Sequence, residues 1–313
     1  MNFAEKIKKQ LKIEDFQAGK DYFEDPKDYE NEILTGVKWE ITKYGHKRLD
    51  QHCPYKQGQL TTIVGNSNVG KTTLITYLLS RLIRDKKIII YSAENKVSQL
   101  ARLLIQFTFQ SHDYAKHFDF IRQQCIFIKH VKQYTYKDIL EQVAIAQDFG
   151  FNPDIVFIDP YNSLKKDRKM NSHEYDYEAI EDFRIFCKNT GISIFLNCHT
   201  VTETQRLKPD KMGEVPRPMA SDTEGGGKFI NKSDDVMCIH RNLYHMDTQE
   251  RFVSHLYIDK VRNTEGGGFP TPYLEPIRFT FRKDWTGFDT AEDTIEKYYP
   301  SVKVLPYKDD LPF

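Results

Sequence analysis

The stretch Leu60-Thr61-Thr62-Ile63-Val64-Gly65-Asn66-Ser67-Asn68-Val69-Gly70-Lys71-Thr72-Thr73 decides the fold. Its first residues suit a buried strand, and a glycine loop follows. Leu74, Ile75, Leu78, Leu79 and Leu82 then recur along one side of a helix that runs to about residue 84. The spacing G-x-x-x-x-G-K-T is that of a phosphate-binding loop. Its glycines let the backbone turn and point N–H groups at phosphate, and the helix N-terminus adds the positive end of its dipole. Gly65, Asn66, Ser67, Asn68, Val69, Gly70, Lys71, Thr72 and Thr73 are therefore the candidate nucleotide-binding residues. In such a loop the lysine reaches the β/γ-phosphates and the threonine hydroxyl ligates Mg²⁺, the roles expected of Lys71 and Thr72. Average composition produces this match by chance in about one chain of this length in a hundred. The strand before it and the apolar helix after it lower that further.

Working outward, strands and helices alternate. Residues 87–92, 126–128, 154–159 and 192–197 read as strands, and 96–109, 136–148 and 173–189 as helices. Residues 235–241, 251–262 and 275–282 then read as strands with no long helix between them. Alternation first and strands last predicts an α/β fold: a mostly parallel central sheet flanked by helices, with antiparallel strands at one edge. Residues 1–34 stand apart as an arm or linker helix. Phe3, Ile7 and Leu11 form one apolar stripe there, which packs either on its own domain or on a neighbouring subunit. Residues 35–283 are expected to form the nucleotide-binding domain, and 284–313 a polar, acidic tail.

The 45 basic and 45 acidic residues cancel, which excludes a general polyanion binder and leaves nucleic-acid contacts to local patches. No apolar run approaches the length of a membrane span, and the N-terminus lacks a signal-peptide core. The five cysteines are odd in number and contain no C-x-x-C pair, which points to a reducing cytoplasm and away from a zinc site.

In open α/β sheets ligands sit beyond the C-terminal strand ends, so the residues delivered there carry the chemistry. Glu94 lies one step past the second apolar strand. It suits either a base for a water attacking the γ-phosphate or a glutamate favoured by a helix N-terminus. Asp159 ends the run DIVFID and matches the second Mg²⁺-binding element of phosphate-loop enzymes. His199 ends ISIFLNCH, where a polar side chain can contact the γ-phosphate. Lys260 and Arg262 share one face of a strand and suit either transition-state stabilisation or a solvated surface. Two loops at the nucleotide edge are locally basic and are candidates for gripping a phosphate backbone. One carries Lys165, Lys166, Arg168 and Lys169, the other Arg206, Lys208, Lys211 and Arg217.

The ordered segments GNSNVGKTT (65–73), YSAEN (91–95), IVFIDPYN (155–162), LNCHT (196–200), DTEGGGKFINKSDDVMCIHR (222–241) and IDKVRNTEGGG (258–268) resemble the RecA-like motor domain of hexameric replicative helicases. These are the DnaB-like proteins of superfamily four, and the likeness is greatest to phage and mitochondrial members. The resemblance implies an enzyme that hydrolyses ATP, or another nucleoside triphosphate, with Mg²⁺. It makes Glu94 the catalytic base, Asp159 the Mg²⁺-associated acid and His199 a γ-phosphate sensor. Lys260 and Arg262 become the pair that enters the neighbouring subunit's site. Arg241 and Tyr273 become the pair that sandwiches the nucleotide base. Loops 165–175 and 201–221 would hold single-stranded DNA in the channel of a ring, a hexamer. Two positions depart from the pattern: Glu224 stands where relatives often carry Arg, and Asn231 where they usually carry Gln. The end of the chain, KDDLPF (308–313), resembles the acidic tips with which bacterial single-stranded-DNA-binding proteins dock on replication enzymes, implying a replication partner. Other readings of the same loop are a non-motor RecA-like ATPase, such as a recombination mediator, and a small-molecule kinase.

These assignments make Glu94 testable at once. Glu94→Gln should bind nucleotide as the wild type does and lose turnover by about a hundredfold or more. Unchanged turnover would remove Glu94 as the base.

Overall fold

The computed structural model describes residues 26–167, 170–223 and 225–290. Most of the arm, Arg168, Lys169, Glu224 and the tail from residue 291 lie outside the described residues. The chain divides into two units, Met1–Trp39 and Glu40–Phe313. In the first, a 3₁₀ turn (Pro26–Tyr29) leads into a short helix, α1 (Glu30–Thr35), and neither buries a residue.

The second unit starts with β1 (Ile41–Thr42), α2 (Lys47–His52) and β2 (Tyr55–Lys56). The alternating part follows: β3 (Leu60–Gly65), α3 (Lys71–Leu82), β4 (Ile88–Ser92), α4 (Val97–Phe109), α5 (Tyr114–Gln124), β5 (Cys125–Phe127), α6 (Tyr136–Asp148), β6 (Ile155–Asp159), α7 (Ser172–Thr190) and β7 (Ser193–His199). Short helices α8 (Thr202–Gln205) and α9 (Gly227–Lys232) precede the run β8 (Asp235–His240), β9 (Val253–Val261), β10 (Ile277–Phe281) and β11 (Phe288–Asp289).

Nine strands form one sheet in the order β11-β10-β9-β8-β3-β7-β6-β4-β5. From β8 to β5 neighbours are parallel, and β9, β10 and β11 add antiparallel strands at one edge. Strands of the parallel part are covered on both sides, which is why β4 and β6 read as apolar runs broken only near their ends. In β6, Ile155 and Phe157 face the core shared with α3 and α4, while Val156 and Ile158 face the core shared with α6 and α7. All six residues of β3 are buried.

Several elements escaped the sequence pattern, among them β1, β2, α2, α8 and α9, and two of them, α5 and β11, are instructive. Helix α5 buries only Phe120 and Ile121 and leaves Phe118 exposed, so its apolar stripe is faint. Its one local signal is Asp113, whose carboxylate accepts from the Lys116 amide as an N-cap. Strand β11 lies within the expected tail. Phe288 is buried against Tyr77 and Phe279, so the sheet continues past residue 283. All five cysteines are buried, and none forms a disulfide. Among the described residues no helix is long and apolar enough to cross a membrane.

Candidate nucleotide site

Parallel register brings the expected residues to one edge of the sheet. Gly65 pairs with His199 across β3 and β7, and Ser92 pairs with Asp159 across β4 and β6. The phosphate loop leaves β3 here and enters α3. Gly70 precedes the helix with a φ of 88°, which favours glycine. A Cβ on Gly65 would lie 2.4 Å from the Ile239 carbonyl oxygen, so no side chain fits there either. No side chain caps α3, which leaves its first N–H groups for an anion. In the loop Ser67 and Asn68 are exposed, Asn66 and Thr73 half-buried, and Val69 is buried.

Lys71 is buried and folds back along the loop, donating to the Gly65 and Asn66 carbonyls at 2.9 Å each. Burial lowers its pKa, and the carboxylates of Asp159 and Glu94 oppose that. Asp159 has no exposed surface. Its carboxylate accepts from Thr72 Oγ1 at 3.2 and 3.0 Å, from Asn95 Nδ2 at 3.3 Å, from Ser92 Oγ at 3.4 Å and from the Asn197 amide. Burial raises its pKa, while the Asn197 and Thr72 hydrogen bonds hold it down. A hydroxyl and a carboxylate beside a phosphate loop are hard oxygen donors of the kind that fit Mg²⁺.

Glu94 and His199 are in direct contact, with Glu94 Oε1 and His199 Nε2 3.1 Å apart. The backbone N–H of His199 donates to Asn162 Oδ1 at 2.8 Å. The next residue ties the following loop to the phosphate loop: Thr200 Oγ1 donates to Asn66 Oδ1 at 2.7 Å. Gln205 repeats the tie, accepting from Ser67 Oγ at 3.1 Å and donating to the Thr200 carbonyl at 2.8 Å. Sequence reasoning missed Asn95, Asn162, Asn197 and Gln205. Only Asn197 left a signal, as an amide inside an otherwise apolar strand.

Arg241 follows β8 and stands over the loop, its Nη1 3.5 Å from where a Cβ on Gly70 would be. Burial lowers its pKa. Tyr273 does not join it among the described contacts. One ring face is instead taken by the Arg217 guanidinium, 4.7 Å from the centroid. Lys260 and Arg262 lie at the far edge of the sheet. The Arg262 amide donates to the Asp234 carbonyl, and the Asp234 amide to that of Leu60, at the start of β3. The phosphate loop leaves the end of the same strand, about 17 Å away at strand rise. Of the basic loop residues, Lys165, Arg206, Lys208 and Lys211 are exposed. Lys166 is 2.8 Å from the buried carboxylate of Asp176, and Arg217 is enclosed, so both are engaged within the domain.

A parallel sheet that gathers a phosphate loop, a threonine–aspartate pair and a glutamate at its strand ends defines a RecA-like nucleotide-hydrolysing domain. The family model described as the DnaB-like helicase C-terminal domain matches residues 42–288, and the chain belongs to that family. Its function is accordingly of the replicative-helicase type. No curated protein matches the chain. Among solved structures it is similar to one described as an ATPase domain, at 16% identity and a TM-score of 0.64, over 84% of this chain and 95% of that one. It is also similar to a DnaB-like replicative helicase described with its interactions with primase, at 16% identity and a TM-score of 0.66, over 91% of this chain and 70% of that one. At such identity these two likenesses speak for the fold alone, and they agree with the expected RecA-like architecture.

The hydrogen bond from Asn197 lowers the pKa of Asp159, so its loss should raise it. Asn197→Leu should therefore move the acid limb of the turnover–pH profile to higher pH. A limb that stays where the wild type has it would show that the amide does not hold the carboxylate down.

Proposed function

We propose that this chain is an ATP-dependent helicase motor that translocates on single-stranded DNA as a ring, a hexamer, and hydrolyses ATP between subunits. The observation that carries this reading is the placement of Lys260 and Arg262 at the sheet edge opposite the phosphate loop. Across that distance the two cations cannot serve their own loop. This supports their serving the loop of a neighbour in a head-to-tail ring.

In this reading Lys71 and the loop amides hold the β- and γ-phosphates, with Arg241 beside them. Thr72 and Asp159 would hold Mg²⁺, which would neutralise charge on the phosphates. Glu94 orients and deprotonates the attacking water once its carboxylate is released from His199. His199, at the root of the 200–221 loop, senses the γ-phosphate. Arg262 of the adjoining subunit, with Lys260, stabilises the charge that develops on the transferred phosphoryl group. Tyr273 covers the base only after parting from Arg217.

Single-stranded DNA is held by Lys165, Arg168 and Lys169 on one loop and Arg206, Lys208 and Lys211 on the other. The ties from Thr200 and Gln205 to Asn66 and Ser67 support coupling between DNA and nucleotide. The arm (1–34) would join neighbouring subunits, and the tail would meet replication proteins in the cytoplasm.

Arg262→Ala tests the reading. Sized with ATP and single-stranded DNA, the variant should assemble and bind nucleotide while DNA-stimulated turnover falls about a thousandfold or more. Turnover that survives in the assembled form would contradict hydrolysis between subunits. DNA-stimulated turnover by a wild-type ring that separates no strands would favour a non-motor ATPase.

A further inference from the structure

The side of the sheet on which Lys260 and Arg262 stand depends on a single extra residue. Between β8 and β9, Val236 faces Lys260 but Met237 faces Ile258, so Asp259 has no partner across the ladder. One residue too many on one strand is a bulge, and a bulge re-aims the side chains beyond it. In an unbroken strand Lys260 would share a face with Ile258, which is buried with Met237 in the core beneath α3. The extra residue turns Lys260 over to the face of Val236 instead. There its ammonium donates to the carbonyls of Ile230 and Ser233 at the end of α9, at 2.6 and 2.8 Å. Arg262, two residues on, follows it and donates to the Asn231 carbonyl at 2.6 Å.

Arg217 holds the bulge. Its Nη1 donates to Asp259 Oδ1 at 2.8 Å, and the two side chains are only 9% and 13% exposed. The guanidinium lies between two rings, 4.2 Å from the centroid of Tyr257 and 4.7 Å from that of Tyr273. Tyr257 is on β9 just before the bulge, and Tyr273 is on the segment that returns after Arg262. A planar cation that stacks on both while pairing with a carboxylate is a use that lysine could not fill. Arg217 itself belongs to the loop whose other end is bonded to the phosphate loop through Thr200 and Gln205.

We propose that Arg217 is a positioning residue. Through Asp259 it fixes the bulge that orients Lys260 and Arg262, and it ties that orientation to the loop that starts at the chain's own phosphate loop. The loop thus bridges two nucleotide sites: its first end is bonded to the chain's own, and its second end sets the cations meant for the neighbour's. This rests on the reading of Arg262 as acting between subunits. It removes Arg217 from the residues that grip DNA.

The test uses the full chain with Arg217→Ala, Asp259→Asn, the charge-exchanged pair Arg217→Asp with Asp259→Arg, and Tyr273→Leu as an exposed variant that spares the fold. DNA affinity and its salt slope should stay at wild-type values, as should KM for ATP in Arg217→Ala, Asp259→Asn and the exchanged pair. DNA-stimulated kcat should fall about tenfold in Arg217→Ala and Asp259→Asn, and less in Tyr273→Leu. The exchanged pair should recover part of the loss, and amide hydrogen exchange at residues 260–262 should quicken wherever kcat falls. A drop in DNA affinity with a shallower salt slope would make Arg217 a DNA contact and overturn the proposal. So would exchange at 260–262 that is unchanged in Arg217→Ala. Exchange that quickens in a chain indifferent to Arg262→Ala would uphold the clamp on the bulge and sink only the reading between subunits.

Discussion

A carboxylate with no exposed surface has to be surrounded by donors, and the nucleotide edge of this domain is built around one. Asp159 ends β6, and its oxygens take bonds from Thr72 at the start of α3, Ser92 at the end of β4, Asn95 just beyond it, and Asn197 on β7. Three strand ends and one helix start are thereby fixed to a single point. Were the carboxyl unsatisfied, its burial would cost several kcal/mol, so these donors and the parallel register that supplies them stand or fall together. The same register sets Gly65 beside His199 and so brings the glutamate, histidine and phosphate loop into one place.

The parallel half of the fold was legible because its strands are buried on both faces. Such strands are mostly apolar, and a chain cannot hide that. The site was legible for the related reason that polar residues at the ends of apolar strands have few structural uses. Contacts between residues distant in sequence were not legible. Lys166 and Arg217 sit in basic loops that read as phosphate-gripping, yet Asp176 and Asp259 neutralise them in the folded chain. Tyr273 read as a base-stacking ring, and the guanidinium that covers it lies 56 positions earlier by the numbering. The bulge at Asp259 left no trace either, since an extra residue in a strand changes pairing without changing composition. For α5 and β11 the burial is too slight, or the strand too short, to imprint a period.

In the proposed reading, the two ends of the strands hold complementary halves of one chemistry. The phosphate-loop amides, Lys71, Glu94 and the Thr72–Asp159 oxygen pair are at the C-terminal ends of the parallel strands. The cations that would neutralise developing charge are at the other end, beside the start of β3. Within one copy they are separated by the length of that strand. In the proposed head-to-tail assembly, neighbouring copies would bring them together. The loop from residue 200 to 221 is bonded to the phosphate loop at one end and to Asp259 at the other.

Mixing two inactive variants tests the composite site most directly. Lys71→Ala loses its own phosphate loop and keeps its cations, and Arg262→Ala does the reverse. Each alone should turn over no ATP beyond background in the presence of single-stranded DNA. Assembled together, a quarter of the junctions would pair an intact loop with an intact arginine by random assortment around a heterologous ring, so turnover should return to roughly a quarter of the wild-type rate. A mixture that stays as inactive as its components, in rings shown to contain both, would contradict the account.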